Sequence, residues 1–257
     1  MTHPRRFREP FFAPQVIVDM IGGISLQRPV LQQLHQQRGR LALGAALLTH
    51  VAGLVGMLWV DRPLFLAATP LNLILMAALV VWTFEGSRRS LLQFFGIAFG
   101  VGMVAEIIGV NTGLLFGEYA YGKVLGIGVA GVPFVIGLNW FAVVWGAASL
   151  SGYILPVPDS RRGRRLYNKT TQAILFVVVT SFLALGFDVL LEPAAVQLGF
   201  WAWSGGDIPF FNYACWLAIS AGLALVLHRM GMRTSHRFAI QLFLIEALFF
   251  FLIRTLG

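Results

Sequence analysis

Glu106 and Asp188 are acids placed near the ends of long apolar runs, and each leads a stretch of similar make-up. Glu106 opens the segment that runs through Gly109, Thr112, Gly113, Phe116 and Gly117 to Tyr119-Ala120-Tyr121. Asp188 opens a segment that holds Glu192-Pro193 and then Trp201-Ala202-Trp203. After each loop comes a proline-phenylalanine entry into the next apolar run. Trp140 stands seven residues past Pro133, and Trp216 stands seven past Pro209. Asn139 and Asn212 fall inside the two intervals at different offsets. An ionisable group inside a bilayer is costly and marks a functional site by default. Two of them in similar settings predict one active site built from a duplicated unit, with Glu106 matched to Asp188.

The chemistry open to such a site follows from what is missing around it. Away from their ends the apolar runs hold only His50, Glu106, Asp188 and Glu246 as ionisable side chains, and no Lys or Arg lies deep in any of them. One of the acids is therefore expected to be neutral, and a neutral buried carboxylic acid is a proton donor for a weak base. Glu192 precedes Pro193, which predicts that its helix stops there, at the membrane interface. Glu246 is expected to hydrogen-bond a neighbouring helix, at His50. Tyr119, Tyr121, Trp201 and Trp203 fit either an interfacial belt or the walls of a cleft. Gly96 and Gly100, and Gly109, Gly113 and Gly117, recur at four-residue spacing, which suits close helix approach or a tight re-entrant backbone. There is no Walker glycine loop and no zinc-type His/Cys cluster. There is no paired-aspartate motif, and no lysine inside a span that could form a Schiff base. No metal and no cofactor is expected.

The elements that must position these acids are membrane helices. Of 257 residues 58% are hydrophobic and 12% charged, and the mean hydropathy is +0.77. This predicts an all-α fold, a polytopic transmembrane bundle with an internally duplicated helix-loop-helix unit. Seven apolar runs of about 20 residues are read near 41–60, 64–84, 91–110, 131–152, 170–190, 209–227 and 238–254. Residues 1–40 form an N-terminal tail without a cleavable signal, and its stretch 11–26 is expected to lie as an interfacial helix. Residues 41–257 form the membrane domain, with the motif core near 90–220. Cys215 is the one cysteine, so no internal disulfide exists. The net charge of +8 reads as topology rather than as nucleic-acid binding. One side collects 16 of the 19 basic residues: Arg5, Arg6, Arg8, Arg28, Arg38, Arg40, Arg88, Arg89, Arg161, Arg162, Arg164, Arg165, Lys169, Arg229, Arg233 and Arg237. Arg62, Lys123 and Arg254 remain on the other. The positive-inside rule then predicts a multi-pass protein of the plasma (inner) membrane, N-terminus cytoplasmic and C-terminus outside, with both motifs toward the outer leaflet.

At these motifs the chain resembles the bacterial and archaeal carotenoid biosynthesis membrane-protein family, whose characterised members are carotenoid 1,2-hydratases. The resemblance is carried by Glu106, Gly109, Thr112, Gly113, Phe116, Gly117, Tyr119 and Tyr121. It continues through Pro133 and Trp140, Asp188, Glu192, Pro193, Trp201 and Trp203, and then Pro209, Asn212 and Trp216, covering roughly residues 90–220. It implies an acyclic or monocyclic carotenoid as substrate and membrane lipid as surroundings, with other carotenoid enzymes as further candidate partners.

Hydration of a terminal carotenoid double bond needs a neutral acid, an aromatic wall for the cation, a group to orient water, and restricted water access. Glu106 or Asp188 can be the acid, and the other the base. Glu106 is favoured as donor because it lies deeper in its run, and Glu192 is the third candidate. Asn139 and Asn212 can hold the water. Tyr119, Tyr121, Trp140, Trp201, Trp203 and Trp216 can face the cation. Two rival readings use similar residues. A carotenoid cyclase would quench the same cation by ring closure, and a proton-coupled transporter would use the buried acids as a relay.

Overall fold

The computed structural model describes residues 28–155, 168–232 and 234–257, with side chains from Gln37 onward. The expected interfacial helix at 11–26 lies outside the described residues, as do Arg5, Arg6, Arg8, Arg161, Arg162, Arg164, Arg165 and Arg233. The chain divides into two compact units, Met1–Gln37 and Arg38–Gly257, and the second holds every candidate site residue.

Capping residues set the helix ends. α1 (Arg28–Val55) continues into a π-helical turn at Gly56–Val60. Asp61 then caps α2 (Arg62–Ala67), its side chain accepting from Leu64 N at 3.1 Å. α3 (Thr69–Thr83) follows directly, so the second apolar run is two helices rather than one. Ser87 caps α4 (Arg88–Thr112), and Gly113 closes it at φ +66°, a left-handed conformation that glycine takes without penalty. Pro133 and Pro209 cap α5 (Phe134–Ile154) and α7 (Phe210–Arg229) with nearly the same backbone angles. Asn168 caps α6 (Lys169–Gln197) by accepting from Thr171 N at 2.7 Å. α8 (Arg237–Leu256) is the last helix.

Six of these helices are long and apolar enough to cross a membrane, so the chain is a multi-pass membrane protein with the expected helical-bundle fold. α3 is shorter, 15 residues, or about 22 Å. Its two ends nevertheless meet opposite ends of the bundle. Pro70 packs near Gly126, in the loop that leads into α5, and Thr83 bonds His236 at the start of α8. The short α3 thus runs between the two ends of the bundle beside the six long helices.

α5 is the most enclosed helix, apolar all round, and touches α3, α4, α6, α7 and α8. Such a helix belongs in the middle of a bundle. Where it meets α4, Gly102 makes the contact: a methyl group there would stand 2.5 Å from the Trp140 ring. Gly96 and Gly100, by contrast, face open space, so that four-residue pair is not a packing motif. α6 runs through Pro193 to Gln197. The expected stop at Glu192 is overturned, because a proline inside a helix removes one backbone bond, which a membrane bundle tolerates. The expected Glu246–His50 contact is also absent. His50 Nδ1 lies 2.7 Å from Ala46 O, while Glu246 is buried on α8 with no hydrogen-bonding partner among the described residues.

The end of the bundle away from the motifs is pinned by one histidine. Trp145 Nε1 donates to His236 Nδ1 at 3.1 Å, so the other ring nitrogen carries the proton and faces Thr83 Oγ1 at 3.2 Å. Thr83 passes its own hydrogen to Leu79 O. A second ring proton would point at the Trp145 N–H. Burial lowers the His236 pKa from 6.5 to about 4. The unfolded chain therefore binds the extra proton first as pH falls. The stabilisation is complete above about 6.5 and is lost as pH drops toward 4, amounting to about 3 kcal/mol at most. Thermal unfolding in mild detergent is expected to shift downward across that window, and His236→Phe to lack this part of the pH slope.

Candidate functional site

Two strands of three residues tie the duplicated units together. β1 (Tyr119–Tyr121) follows α4 and β4 (Trp201–Trp203) follows α6; between them in sequence lies a short hairpin of β2 (Gly128–Val129) and β3 (Val132–Pro133). β1 and β4 pair antiparallel, with Tyr119 opposite Trp203, Ala120 opposite Ala202 and Tyr121 opposite Trp201. That register is unchanged when the two units are exchanged. Trp140 and Trp216, equivalent by their distance from the capping prolines, stack with centroids 3.9 Å apart and planes 14° from parallel. A pseudo-two-fold axis therefore passes between the two alanines and through the tryptophan stack. It relates α4-β1-α5 to α6-β4-α7, two units that each leave and re-enter the bundle in the same sense.

A buried carboxyl in each unit is held by its own strand. Glu106 Oε2 accepts from Tyr119 Oη at 2.5 Å and Tyr121 Oη at 2.6 Å, and Oε1 accepts from Trp140 Nε1 at 2.9 Å. Glu192 Oε2 accepts from Trp201 Nε1 at 2.9 Å and Trp203 Nε1 at 3.0 Å, and Oε1 accepts from Asn212 Nδ2 at 3.2 Å. Alternation along each three-residue strand puts its first and third side chains on one face, which is how both donors reach one carboxyl. The counterpart of Glu106 is thus Glu192 and not Asp188. Asp188 lies one turn earlier on α6, fully buried, with Oδ2 accepting from Asn212 Nδ2 at 3.0 Å and Oδ1 without a partner among the described residues. No lysine or arginine is among the described partners of these three acids. Burial, and next the nearby Glu106 carboxyl, push the Tyr119 and Tyr121 phenols well above their ordinary range, so both remain protonated donors.

Glu106 and Glu192 face one small cavity of about 20 Å³, room for about one water molecule. Its aromatic walls are Phe116, Tyr119, Tyr121, Trp201, Trp203 and Trp216, and Asn139, Asn212 and Ile136 complete it. The sequence-predicted residues gather here with two exceptions: Asp188 stands behind Asn212, and Trp140 takes part through its bond to Glu106 and its stack on Trp216. Phe116 and Ile136 are wall residues outside the sequence-predicted set. Phe116 sits at φ +66° with its N–H 3.3 Å from Cys215 Sγ, a conformation uncommon for a bulky side chain. Ile136 occupies, three residues past Pro133, the place that Asn212 occupies three past Pro209, so the proline offset is the signal that finds it. Among the described residues no three His, Cys, Asp or Glu side chains converge as metal ligands.

The two units differ at two pairs of equivalent positions in a consistent way. One turn before its glutamate, the first unit has Gly102 and the second Asp188; three residues past the proline they have Ile136 and Asn212. In the first unit the empty volume over Gly102 is filled by Trp140, which supplies the third donor to Glu106. In the second unit the third donor to Glu192 is Asn212, backed by Asp188.

Comparison with known proteins gives this arrangement a family. Over 130 residues the chain is 35% identical to a protein named bisanhydrobacterioruberin hydratase from Haloarcula japonica. The match takes in 49% of this chain and spans only 40% of that relative's length. No solved structure matches. The carotenoid biosynthesis protein family matches residues 67–256, a stretch that contains every residue of the cavity. The chain belongs to the carotenoid biosynthesis protein family.

Proposed function

We propose that this chain is a carotenoid hydratase that adds water across the terminal C1–C2 double bond of an acyclic end group. The observation that carries this reading is the unequal support of two carboxyls across one aromatic-lined cavity. Both strand-borne partners of Glu106 are hydroxyls, which accept as well as donate, so Glu106 keeps its contacts as a neutral acid. All three partners of Glu192 are N–H donors, which suit a carboxylate and cannot reverse. The geometry therefore favours Glu106 as the acid and Glu192 as the base.

In the proposed reaction the Glu106 proton bonds to C2 through the alkene π pair, leaving a tertiary cation at C1. The faces of the surrounding aromatic rings stabilise that charge. Water attacks C1 and loses a proton to Glu192, giving a tertiary alcohol. Transfer of that proton back to Glu106 through exchange with water resets the site. The relative's name supports the reaction type. The cavity is small, and its aromatic walls suit one isoprenoid end of a long polyene whose remainder stays in lipid. A polar amide beside the base favours hydration over ring closure, which needs no water.

Expression in a host that accumulates lycopene, followed by mass spectrometry of the pigments, tests this reading; a product heavier by one water per end group is expected. Glu106→Gln should lower hydration by about 10²–10⁴-fold, because an amide keeps the shape but cannot protonate carbon. Glu192→Gln should also lose most activity, since an amide cannot take the water's proton and its NH₂ must oppose at least one of the N–H donors. Near-normal turnover in both variants would remove the two carboxyls from the chemistry.

The basic residues support a location in the plasma (inner) membrane with the N-terminus in the cytoplasm, the C-terminus outside and the cavity toward the outer leaflet. Reporters fused to each terminus check this: the C-terminal fusion is expected to report an external location, and a cytoplasmic signal would contradict seven passages.

A further inference from the structure

We propose that Asp188 and Glu192 together lock the Asn212 amide so that its oxygen holds the attacking water, and that this lock decides whether the cation is captured as an alcohol. The inference rests on the hydratase reading and adds to it the residue that determines the product. Asn212 is 1% exposed, and its nitrogen lies 3.0 Å from Asp188 Oδ2 and 3.2 Å from Glu192 Oε1. Carboxyl oxygens accept, so the nitrogen end must face them, and the orientation of the amide follows from its two neighbours. The carbonyl oxygen is then the end left for the cavity that Asn212 lines. A water that donates one hydrogen to that oxygen and the other to Glu192 turns a lone pair toward the cation and sits beside the base that deprotonates it.

The pseudo-symmetry isolates this device. The first unit has Ile136 in place of Asn212 and Gly102 in place of Asp188, and its glutamate receives an indole N–H instead of an amide. The first unit therefore offers no amide acceptor at the equivalent point; its own amide, Asn139, lines the cavity three residues further on, without the two-carboxyl clamp that fixes Asn212. Asp188 does not line the cavity and is fully buried. It acts through Asn212, as a positioning residue.

The cation has two fates that conserve atoms and charge. Water can add at C1 while Glu192 takes its proton. Alternatively, C2 returns a proton to the Glu106 carboxylate and the C1–C2 alkene re-forms, or a methyl on C1 does so and gives the isomer with a terminal methylene. In heavy water the first fate gives labelled alcohol, and the second gives substrate or its terminal-methylene isomer that has gained deuterium at C2. The ratio of exchange to hydration reads the capture step alone, and a general loss of folding or of acid strength lowers both terms together.

The test uses the full chain in lipid with an acyclic carotenoid in heavy water. Asp188→Asn and Asn212→Ile, the latter copying the first unit, are expected to raise the exchange-to-hydration ratio about tenfold, the effect of misplacing one hydrogen bond of about 1.4 kcal/mol. An unchanged ratio with both rates reduced would overturn the proposal and leave Asp188 and Asn212 as packing residues. Wild-type protein that neither hydrates nor exchanges would instead remove the hydratase reading beneath it. A second measurement needs no variant. If the water is held by Asn212, lowering water activity with an osmolyte leaves the wild-type ratio unchanged, and a rise in step with the osmolyte would overturn the proposal.

Discussion

A carboxyl withdrawn from water loses several kcal/mol of hydration unless other groups replace it. Glu106 and Glu192 are 5% and 3% exposed, with no cation among their described partners, so neutral donors must do the whole of that work. Each needs donors from more than one direction, and a membrane helix has none to spare, because its own backbone groups are committed. Two donors for each acid come from outside the helices, on two short strands that fold back over the helix ends, and the third is a side chain of a neighbouring helix, Trp140 or Asn212. Pairing β1 with β4 satisfies the strands' own backbone groups and presents two tyrosines to one acid and two tryptophans to the other. The helix ends, the strand register and the tryptophan stack all follow from keeping two acids buried without charge partners.

Duplication alone would make the two acids equivalent, and acid–base chemistry needs them different. The difference is made by few substitutions on a symmetric frame. Two hydroxyls and an indole hold Glu106, whereas N–H groups alone hold Glu192. Gly102 gives its space to an indole, whereas Asp188 fills the equivalent space with a second carboxyl and an amide. The same carboxyl placed twice is thereby given two environments, which is the usual route to assigning separate acid and base roles.

Much of the frame is legible in the sequence because bilayer thickness dictates apolar run length. Six runs are single spanning helices near their expected bounds. The second is α2 and α3, broken near Ala68, where Thr69-Pro70 restarts the helix. The site residues are legible as types, since acids inside apolar runs stand out, but their pairing is not. Matching Glu106 to Asp188 relies on nearness to the run's end and on taking Pro193 as a stop. Measured instead from Pro133 and Pro209, the offsets lead to Ile136 opposite Asn212. The β1–β4 register is hidden because it joins two three-residue segments about 80 positions apart, a non-local contact that no local pattern encodes. Glu246 does not pair with His50, and nothing in the structure explains why an acid stands at that place on α8.

The proposed chemistry requires that this protein itself adds the water, at a site that needs no gradient. Purified protein in lipid vesicles without a proton gradient, supplied with an acyclic carotenoid in oxygen-18 water, measures this most directly. The expected product is a carotenoid carrying one heavy oxygen in each new hydroxyl group. Recovery of unchanged carotenoid, or of a cyclised isomer without added oxygen, would contradict the hydratase mechanism.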